Sequence, residues 1–174
     1  MSLTREGRVW KFGDQINTDL ILPGSAFRLP FEQQWKQCFA ANRPGWVDQV
    51  REGDIIVGGE NFGMGSGRPV GAVMHACGIR AVLADSVNGL CLRNCVGVSL
   101  PTMSAPGVAR LFEEGDIARV DFTAGTIENR TRGTRLEVRP MPKLLAEIVE
   151  AGGVVPMLVK QGLIERAPFL AGTH

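Results

Sequence analysis

The chain has 174 residues, of which 44% are hydrophobic and 21% charged, and its 19 Lys and Arg residues nearly balance its 18 Asp and Glu residues. This length suits one domain with its own hydrophobic core, spanning residues 1–174. The composition excludes a disordered chain. The even charge balance argues against a nucleic-acid partner, because affinity for phosphates requires an excess of basic residues.

No apolar signal core or bilayer-spanning stretch is visible in the sequence, so we expect a cytoplasmic protein without membrane contact. Its four cysteines, Cys38, Cys77, Cys91 and Cys95, are then expected to be thiols. Cys91 and Cys95 lie on one face of a predicted helix, but two ligands do not close a metal site. Core packing is the favoured role, and we predict no metal bound by this chain.

The spacing of apolar residues predicts alternating strands and helices up to residue 114. They are a strand at 8–12, a helix at 31–41, a strand at 54–57, a helix at 69–76, a strand at 79–84, a helix at 87–96, a strand at 98–102 and a helix at 108–114. Asn17, Thr18 and Asp19 are predicted to form a polar loop after the first strand. Residues 54–84 make a βαβ unit, whose loop opens at the carboxyl edge of the strands, where ligands bind.

The pattern changes after residue 114. Strands at 117–122, 126–129 and 134–138, separated by glycine-containing turns, predict an antiparallel meander. A helix at 142–151 and a last helical segment at 155–163 follow. Parallel strands followed by antiparallel ones predict an α/β fold with a mixed sheet and flanking helices.

A glycine-rich loop, GGENFGMGSGRP, occupies residues 58–69 and contains five glycines. Glycine allows the backbone to turn through positive φ and to approach a ligand closely. The loop leads into a helix whose free N–H groups and dipole attract a carboxylate or phosphate, and Arg68 adds a bidentate cation. Ser66 lies at this positive end, where an alkoxide would be stabilised enough to move a proton.

Simpler interpretations of the same residues remain open. A serine before a helix is usually an N-cap, and an arginine there is often a surface residue. Nucleotide binding is disfavoured because the loop lacks both G-x-x-x-x-G-K-[ST] and G-x-G-x-x-G. His75 lies within a helical pattern and is interpreted as structural, which argues against a free-standing carrier or phosphate-binding domain that uses it.

Three segments resemble the small subunits of 3-isopropylmalate dehydratase and homoaconitase, which correspond to the swivel domain of aconitase. They are FGDQINTDLILPG at 12–24, GENFGMGS at 59–66 and EAGGVVP at 150–156. The resemblance covers nearly the whole chain and implies an aconitase-like swivel domain with a barrel-like mixed sheet. It also implies a heterodimer or heterotetramer with a large subunit that carries a [4Fe-4S] cluster, while this chain binds no cofactor itself.

The resemblance implies a hydro-lyase that reversibly dehydrates a hydroxy di- or tricarboxylic acid. 3-Isopropylmalate or a related substituted malate, as in leucine biosynthesis, is the first expectation; homocitrate, homoaconitate and dimethylmalate are alternatives. Ser66 falls on the serine whose alkoxide removes the proton from carbon, and Arg68 on the arginine that holds a substrate carboxylate. Further substrate contacts are implied for Arg28 in the specificity loop 26–29, for Asn61, Gly65 and Gly67, and for Arg93. Solvent-facing positions remain the alternative for Arg28 and Arg93.

Gly67 departs from the family loop, which has a second serine at this position. A lost hydroxyl donor would weaken carboxylate binding by roughly 1–3 kcal/mol. This departure indicates either a changed substrate or a non-catalytic subunit that only stabilises its large partner, and the retained Ser66 and Arg68 favour the former. Pro69 suits the first position of a helix, and Met64, which replaces a cysteine, fills the same apolar space.

Overall fold

A computed structural model describes residues 3–165 of the chain. Its strands are β1 (Thr4–Lys11), β2 (Ile55–Gly58), β3 (Ala81–Ala84), β4 (Thr102–Ser104), β5 (Ile117–Asp121), β6 (Thr126–Asn129) and β7 (Thr134–Glu137). They form one curled sheet in the order β4-β3-β2-β1-β5-β6-β7. β1 to β4 are parallel, whereas β5 to β7 form an antiparallel meander that joins the sheet at β1. The predicted mixed sheet and meander are therefore confirmed.

Helices cover the sheet. They are α1 (Thr18–Ile21), α2 (Phe31–Gln34), α3 (Val70–Ala76), α4 (Gly89–Gly97), α5 (Val108–Leu111), α6 (Lys143–Glu150) and α7 (Val154–Lys160), with 3-10 turns at Gly24–Arg28, Trp35–Gln37 and Val47–Gln49. None of the helices within residues 3–165 combines the length and apolar character that crossing a membrane requires.

The single helix predicted at 31–41 is wrong. α2 gives way to the 3-10 turn Trp35–Gln37, and the backbone then leaves helical geometry, reaching a φ of +56° at Phe39. Tertiary contacts explain the break, because the Phe39 ring stacks on Phe12 at 4.2 Å and its N–H donates to the Ile21 carbonyl. Burial of this aromatic ring outweighs the local helical pattern.

Several other boundaries differ: β1 starts four residues before the predicted strand, α5 and α7 each end three residues early, and two further differences change the type of structure. The polar loop predicted at 17–19 instead starts α1, because the Asn17 side chain accepts the Leu20 N–H and caps the helix. The strand predicted at 98–102 begins only at Thr102, since Ser99 adopts a φ of +65° in the preceding turn. The first change is important for the site, because it places Thr18 in an ordered turn.

The core lies on both faces of the sheet. In β2, Ile56 packs with the aromatic cluster around Trp46 on one face, whereas Ile55 and Val57 pack on the other face with residues of α6. This alternation follows the two-residue period of a strand. Every residue of β2 and β3 is buried, as expected for parallel strands covered on both sides. The loops at the carboxyl ends of these strands are consequently the exposed part of this region.

Candidate active site

Three loops meet at the carboxyl edge of the parallel strands, after β1, β2 and β3. The glycine-rich loop lies between the other two: the Gly63 N–H donates to the Ile16 carbonyl at 2.7 Å, and the Phe62 N–H donates to the Ser86 carbonyl at 2.9 Å. Isolated parallel bridges join Asn17 to Met64 and Phe62 to Val87. The sheet pairing thus continues into the loops and holds the glycine-rich segment in place.

Ser66 is exposed on this loop and has two neighbours for its hydroxyl. Its Oγ accepts a hydrogen bond from Arg68 Nε at 3.2 Å and lies 3.4 Å from the Oγ1 of Thr18. Thr18 Oγ1 also accepts the Ser66 backbone N–H at 3.0 Å. A cationic donor and a second hydroxyl therefore surround the oxygen that was predicted to act as the base.

The N-cap interpretation of Ser66 is wrong. α3 begins at Val70, one position later than predicted, and the residue at its N-cap position is Pro69, which provides no side-chain cap. Ser66 therefore lies four residues before the first residue of α3. The positive charge next to its hydroxyl comes from Arg68. The dipole of α3, which was expected to supply this charge, contributes less, since its effect falls off within the first turn.

Arg68 is largely covered, so its interpretation as an ordinary surface residue is also wrong. The guanidinium forms an ion pair with Asp19 and donates to the Leu22 carbonyl. It also lies over the exposed ring of Phe27, 5.2 Å from the ring centroid. These contacts aim the cation at the mouth of the loop, beside Ser66.

Asn94 holds the glycine-rich loop, although it was not among the predicted site residues. Its side chain accepts the Gly71 N–H at 2.8 Å and donates to the Arg68 carbonyl at 3.1 Å, which ties the end of the loop to α4. The family resemblance implied a substrate contact for Arg93, the neighbour of Asn94. Arg93 is exposed on α4, while its half-buried neighbour makes the contacts with the loop.

The other two predicted polar contacts lie at the rim. Arg28 is exposed at the end of the 3-10 turn Gly24–Arg28, and the same turn brings the preceding residue, Phe27, onto Arg68. Asn61 is exposed with a φ of +56°, and its backbone N–H donates to Ser86 Oγ at 2.8 Å. Asn is among the residues that best tolerate this left-handed conformation, so Asn61 shapes the turn.

The two predicted glycine contacts have different origins. Gly65 has a φ of +121°, and a Cβ there would lie 2.7 Å from Thr18 Oγ1, so both backbone and packing require glycine. Gly67 has no such φ, and an added Cβ would meet nothing closer than Leu90 Cδ2 at 3.9 Å. The fold therefore accepts a serine at position 67, and the missing hydroxyl is not a structural necessity.

Among the described residues, the hydrogen bonds and ion pairs of Ser66 and Arg68 involve neither the cysteines nor His75, although Cys91 packs against Gly63 of the glycine-rich loop. Cys91 and Cys95 are buried with their sulfurs 3.9 Å apart, and hydrogen bonding to Cys91, together with burial, raises the pKa of Cys95. His75 is in the last turn of α3, where burial and the nearby Arg80 lower its pKa. Within residues 3–165, no three His, Cys, Asp or Glu side chains are grouped to hold a metal ion.

The fold and the loop define a class, a swivel-type α/β domain that presents a serine and an arginine at the edge of a mixed sheet. No protein-family model matches the chain. 3-Isopropylmalate dehydratase small subunit 1 of Methanopyrus kandleri is 37% identical over 158 residues, which cover 90% of this chain and 93% of that protein. The chain belongs to the family of 3-isopropylmalate dehydratase small subunits, which are hydro-lyase subunits.

Two further relatives carry different substrate names. The isopropylmalate/citramalate isomerase small subunit of Methanocaldococcus jannaschii is 38% identical, covering 90% of this chain and 94% of its own. The homoaconitase small subunit of Methanothermobacter thermautotrophicus is also 38% identical, covering 88% of this chain and 90% of its own. Family membership therefore leaves the substrate open.

A solved structure supports the same assignment. The crystal structure of a 3-isopropylmalate dehydratase from Methanocaldococcus jannaschii superposes with a TM-score of 0.85 at 34% identity, covering 94% of this chain and 98% of that one. The expected family and its mixed, barrel-like fold are thus confirmed.

Proposed function

We propose that the chain is the small subunit of a two-component hydro-lyase that reversibly dehydrates a substituted malate, with 3-isopropylmalate as the first candidate. It would act in the cytoplasm as one domain, 1–174, of a heterodimer or heterotetramer with a large subunit. The observation that carries the proposal is the exposed Ser66 hydroxyl, 3.2 Å from the Nε of the fixed cation Arg68. The names of relatives at 37–38% identity support the reaction class.

The two side chains divide the chemistry between them. Arg68 binds the carboxylate next to the carbon that is deprotonated, and the Ser66 alkoxide accepts the proton from that carbon. Negative charge then moves into the bound carboxylate, where the fixed guanidinium stabilises it. The double bond forms as hydroxide leaves the adjacent carbon, and rehydration returns the proton from Ser66 to carbon. Arg68 acts in both directions because the carboxylate remains in place.

The large subunit completes this reaction. The described residues of this chain contain no set of side chains suited to an iron–sulfur cluster. We assign a [4Fe-4S] cluster to the partner, where it would supply a Lewis acid for the hydroxyl group that leaves. Proton transfer and carboxylate binding are the tasks of this chain.

Apolar side chains at the mouth favour an alkyl-substituted substrate. Phe27 is exposed and packs on Arg68, and Leu90 is exposed beside the open space at Gly67. These two side chains would contact an isopropyl group next to the carboxylate that Arg68 binds. Arg28 is exposed and follows Phe27 in the same 3-10 turn. Its positive charge could bind a third carboxylate, as in homoaconitate, so a carboxylate is the second candidate for the substituent of the substrate.

Turnover by the reconstituted complex tests the proposal. The chain is co-expressed with its large subunit, the cluster is reconstituted anaerobically, and enoate absorbance is followed with substituted malates, citrate and homocitrate. We expect branched alkyl malates to have the highest kcat/KM. A stable complex that turns over none of these acids would exclude the hydro-lyase function and leave a subunit that only stabilises its partner.

The Ser66→Ala variant tests the proposed base. We expect kcat to fall about a hundredfold or more while the subunits still associate, because the alkoxide is lost and the fold is not. Thr134→Ala is the matched control, since it removes an exposed hydroxyl from the edge strand β7. Near-normal kcat in Ser66→Ala would remove Ser66 from the mechanism.

A further inference from the structure

Thr18 carries a buried hydroxyl that the proposed reaction does not yet use. The residue is 2% exposed, although it starts a helix at the edge of the site. Its Oγ1 accepts the Ser66 N–H at 3.0 Å and lies 3.4 Å from Ser66 Oγ. One side chain therefore contacts both the backbone and the reactive oxygen of the proposed base.

The position of Thr18 is fixed by its own backbone. Its N–H donates to the Met64 carbonyl at 2.8 Å, and its carbonyl accepts the Leu22 N–H at 2.9 Å. The Asn17 cap holds the same turn. A β-branched side chain has few rotamers, so fixing the backbone also fixes the hydroxyl.

The glycine-rich loop leaves space for this hydroxyl. At Gly65, a Cβ would lie 2.7 Å from Thr18 Oγ1, closer than real side chains come. Because Gly65 has no side chain, Thr18 Oγ1 can come close to the loop and accept the hydrogen bond from the Ser66 N–H. Segments 48 residues apart in the sequence are joined at this one oxygen atom.

The hydrogen-bond directions indicate what Thr18 does. Because Thr18 Oγ1 accepts the Ser66 N–H, its own hydrogen is available to donate to Ser66 Oγ. Arg68 Nε donates to the same oxygen from another direction. The 3.4 Å separation is long for a neutral O–H···O bond, and such bonds shorten when the acceptor carries a negative charge.

We propose that Thr18 is a positioning residue for Ser66: it holds the serine backbone and donates to the serine oxygen when the proton is removed. This inference rests on the proposed role of Ser66 as the base. A hydrogen bond to the charged form favours ionisation, so Thr18 and Arg68 together make the alkoxide accessible.

Thr18→Val tests the role in the reconstituted complex, because valine keeps the shape and removes the hydroxyl. We expect kcat to fall roughly ten- to a hundredfold, as for the loss of a hydrogen bond to a charged group, with KM changing less than about threefold. The acidic limb of the kcat–pH profile should move to higher pH, since the serine becomes harder to ionise. Thr18→Ser, which keeps the hydroxyl, should recover most of the rate.

Thr102→Val is the matched control. Thr102, the first residue of β4, is another buried threonine, and its hydroxyl donates to the Leu100 carbonyl at 3.2 Å. This variant should lower the melting temperature without changing the kcat–pH profile. If Thr18→Val does not fold, Thr18→Ala is compared with Thr18→Ser instead, and the same difference in kcat is expected.

The Ser66→Ala background separates the two proposals. There, Thr18→Val should cost little further rate, because the oxygen that it serves is already absent. If Ser66→Ala keeps normal kcat, the proposed base itself fails. If Ser66→Ala loses activity but Thr18→Val turns over normally, raises only KM, or lowers kcat equally in both backgrounds, the positioning role is wrong while the base stands.

Discussion

Two ion pairs in this chain have opposite burial. In the site, the Arg68 side chain is 16% exposed and its partner Asp19 is 62% exposed. In the antiparallel half, Arg132 is 51% exposed and its partner Asp116 is 7% exposed. In the site, the buried member of the pair is the cation Arg68, and a substrate carboxylate could take the place of its exposed partner Asp19. In the other pair, the buried member is the carboxylate of Asp116.

The surroundings of the two protected groups explain their different roles. Asp116 accepts hydrogen bonds from Asn129 Nδ2 at 2.7 Å, Arg132 Nε at 2.9 Å and the Glu113 N–H at 2.9 Å, which hold the turn between β6 and β7 and the turn before β5. Arg68 is held by Leu22 and Phe27 but faces the exposed Ser66. The hydrogen bonds of Asp116 therefore stabilise the fold. The charge of Arg68, next to the exposed hydroxyl of Ser66, is available for binding and catalysis.

Among the variants that test this difference between the two regions, Asp116→Ala is expected to have the largest effect, a loss of stability without a loss of activity. It removes the acceptor of the Glu113 N–H and one of the two acceptors of the buried Asn129 amide, whose other acceptor is the Leu111 carbonyl; the loss costs about 3 kcal/mol of the free energy of unfolding. The urea midpoint should fall while kcat of the reconstituted complex stays normal. Glu137→Ala, which removes an exposed ion pair with Arg135, should cost less than about 0.5 kcal/mol. A loss of kcat without a loss of stability in Asp116→Ala would contradict the division between the two regions.

Arg68→Lys should have the opposite effect, a loss of activity with little loss of stability. Lysine retains the charge but lacks the planar donors that contact Ser66 and a carboxylate together, so we expect kcat/KM to fall roughly ten- to a hundredfold. The free energy of unfolding should change by less than about 1 kcal/mol. Steady-state kinetics and urea unfolding of the same preparation measure both. Unchanged kcat/KM would show that a point charge suffices.

A smaller effect is expected from acid. Burial alone would raise the pKa of Asp116, but hydrogen bonds from the Glu113 N–H, Asn129 and Arg132 outweigh it and hold the pKa below its usual value. The contribution of this lowered pKa to stability is complete above the unfolded-state value, about 4, and is lost as the pH falls through the folded-state value. Asp116→Asn should therefore flatten the decline of unfolding free energy below about pH 4. An identical decline in both proteins would rule out this group as a source.

The smallest effect on stability is expected from Gly67→Ser, at less than about 0.5 kcal/mol, because the position is open and its φ is ordinary. The added hydroxyl should lower KM several-fold for compact acids such as citramalate and reduce the preference for bulky alkyl groups. Gly65→Ser is the control, since strain at positive φ and contact with Thr18 should destabilise it. An unchanged ranking of substrates in Gly67→Ser would remove position 67 from substrate selection.

Local patterns in the sequence predicted most of the architecture. Alternating and helical spacing identified β2, α3 and β3 and the meander, because these elements bury the faces that their own periods define. The glycine-rich loop and the residues Ser66 and Arg68 were visible in the same way, as one short segment with an unusual composition. The helix at 31–41 failed because the burial of Phe39 against Phe12 is not a local property.

The sequence by itself determined the order of elements, the mixed sheet and the loop that carries the proposed base, since each depends on residues a few positions apart. Only the tertiary structure decided that Thr18 contacts Ser66, that Asn94 rather than Arg93 braces the loop and that Phe27 covers Arg68. These pairs are brought together by the parallel strands, whose carboxyl ends meet at one edge although their sequences are far apart. The residues that contact Ser66 and Arg68 therefore depend on the order of the strands in the sheet. The spacing of residues along the sequence does not predict that order.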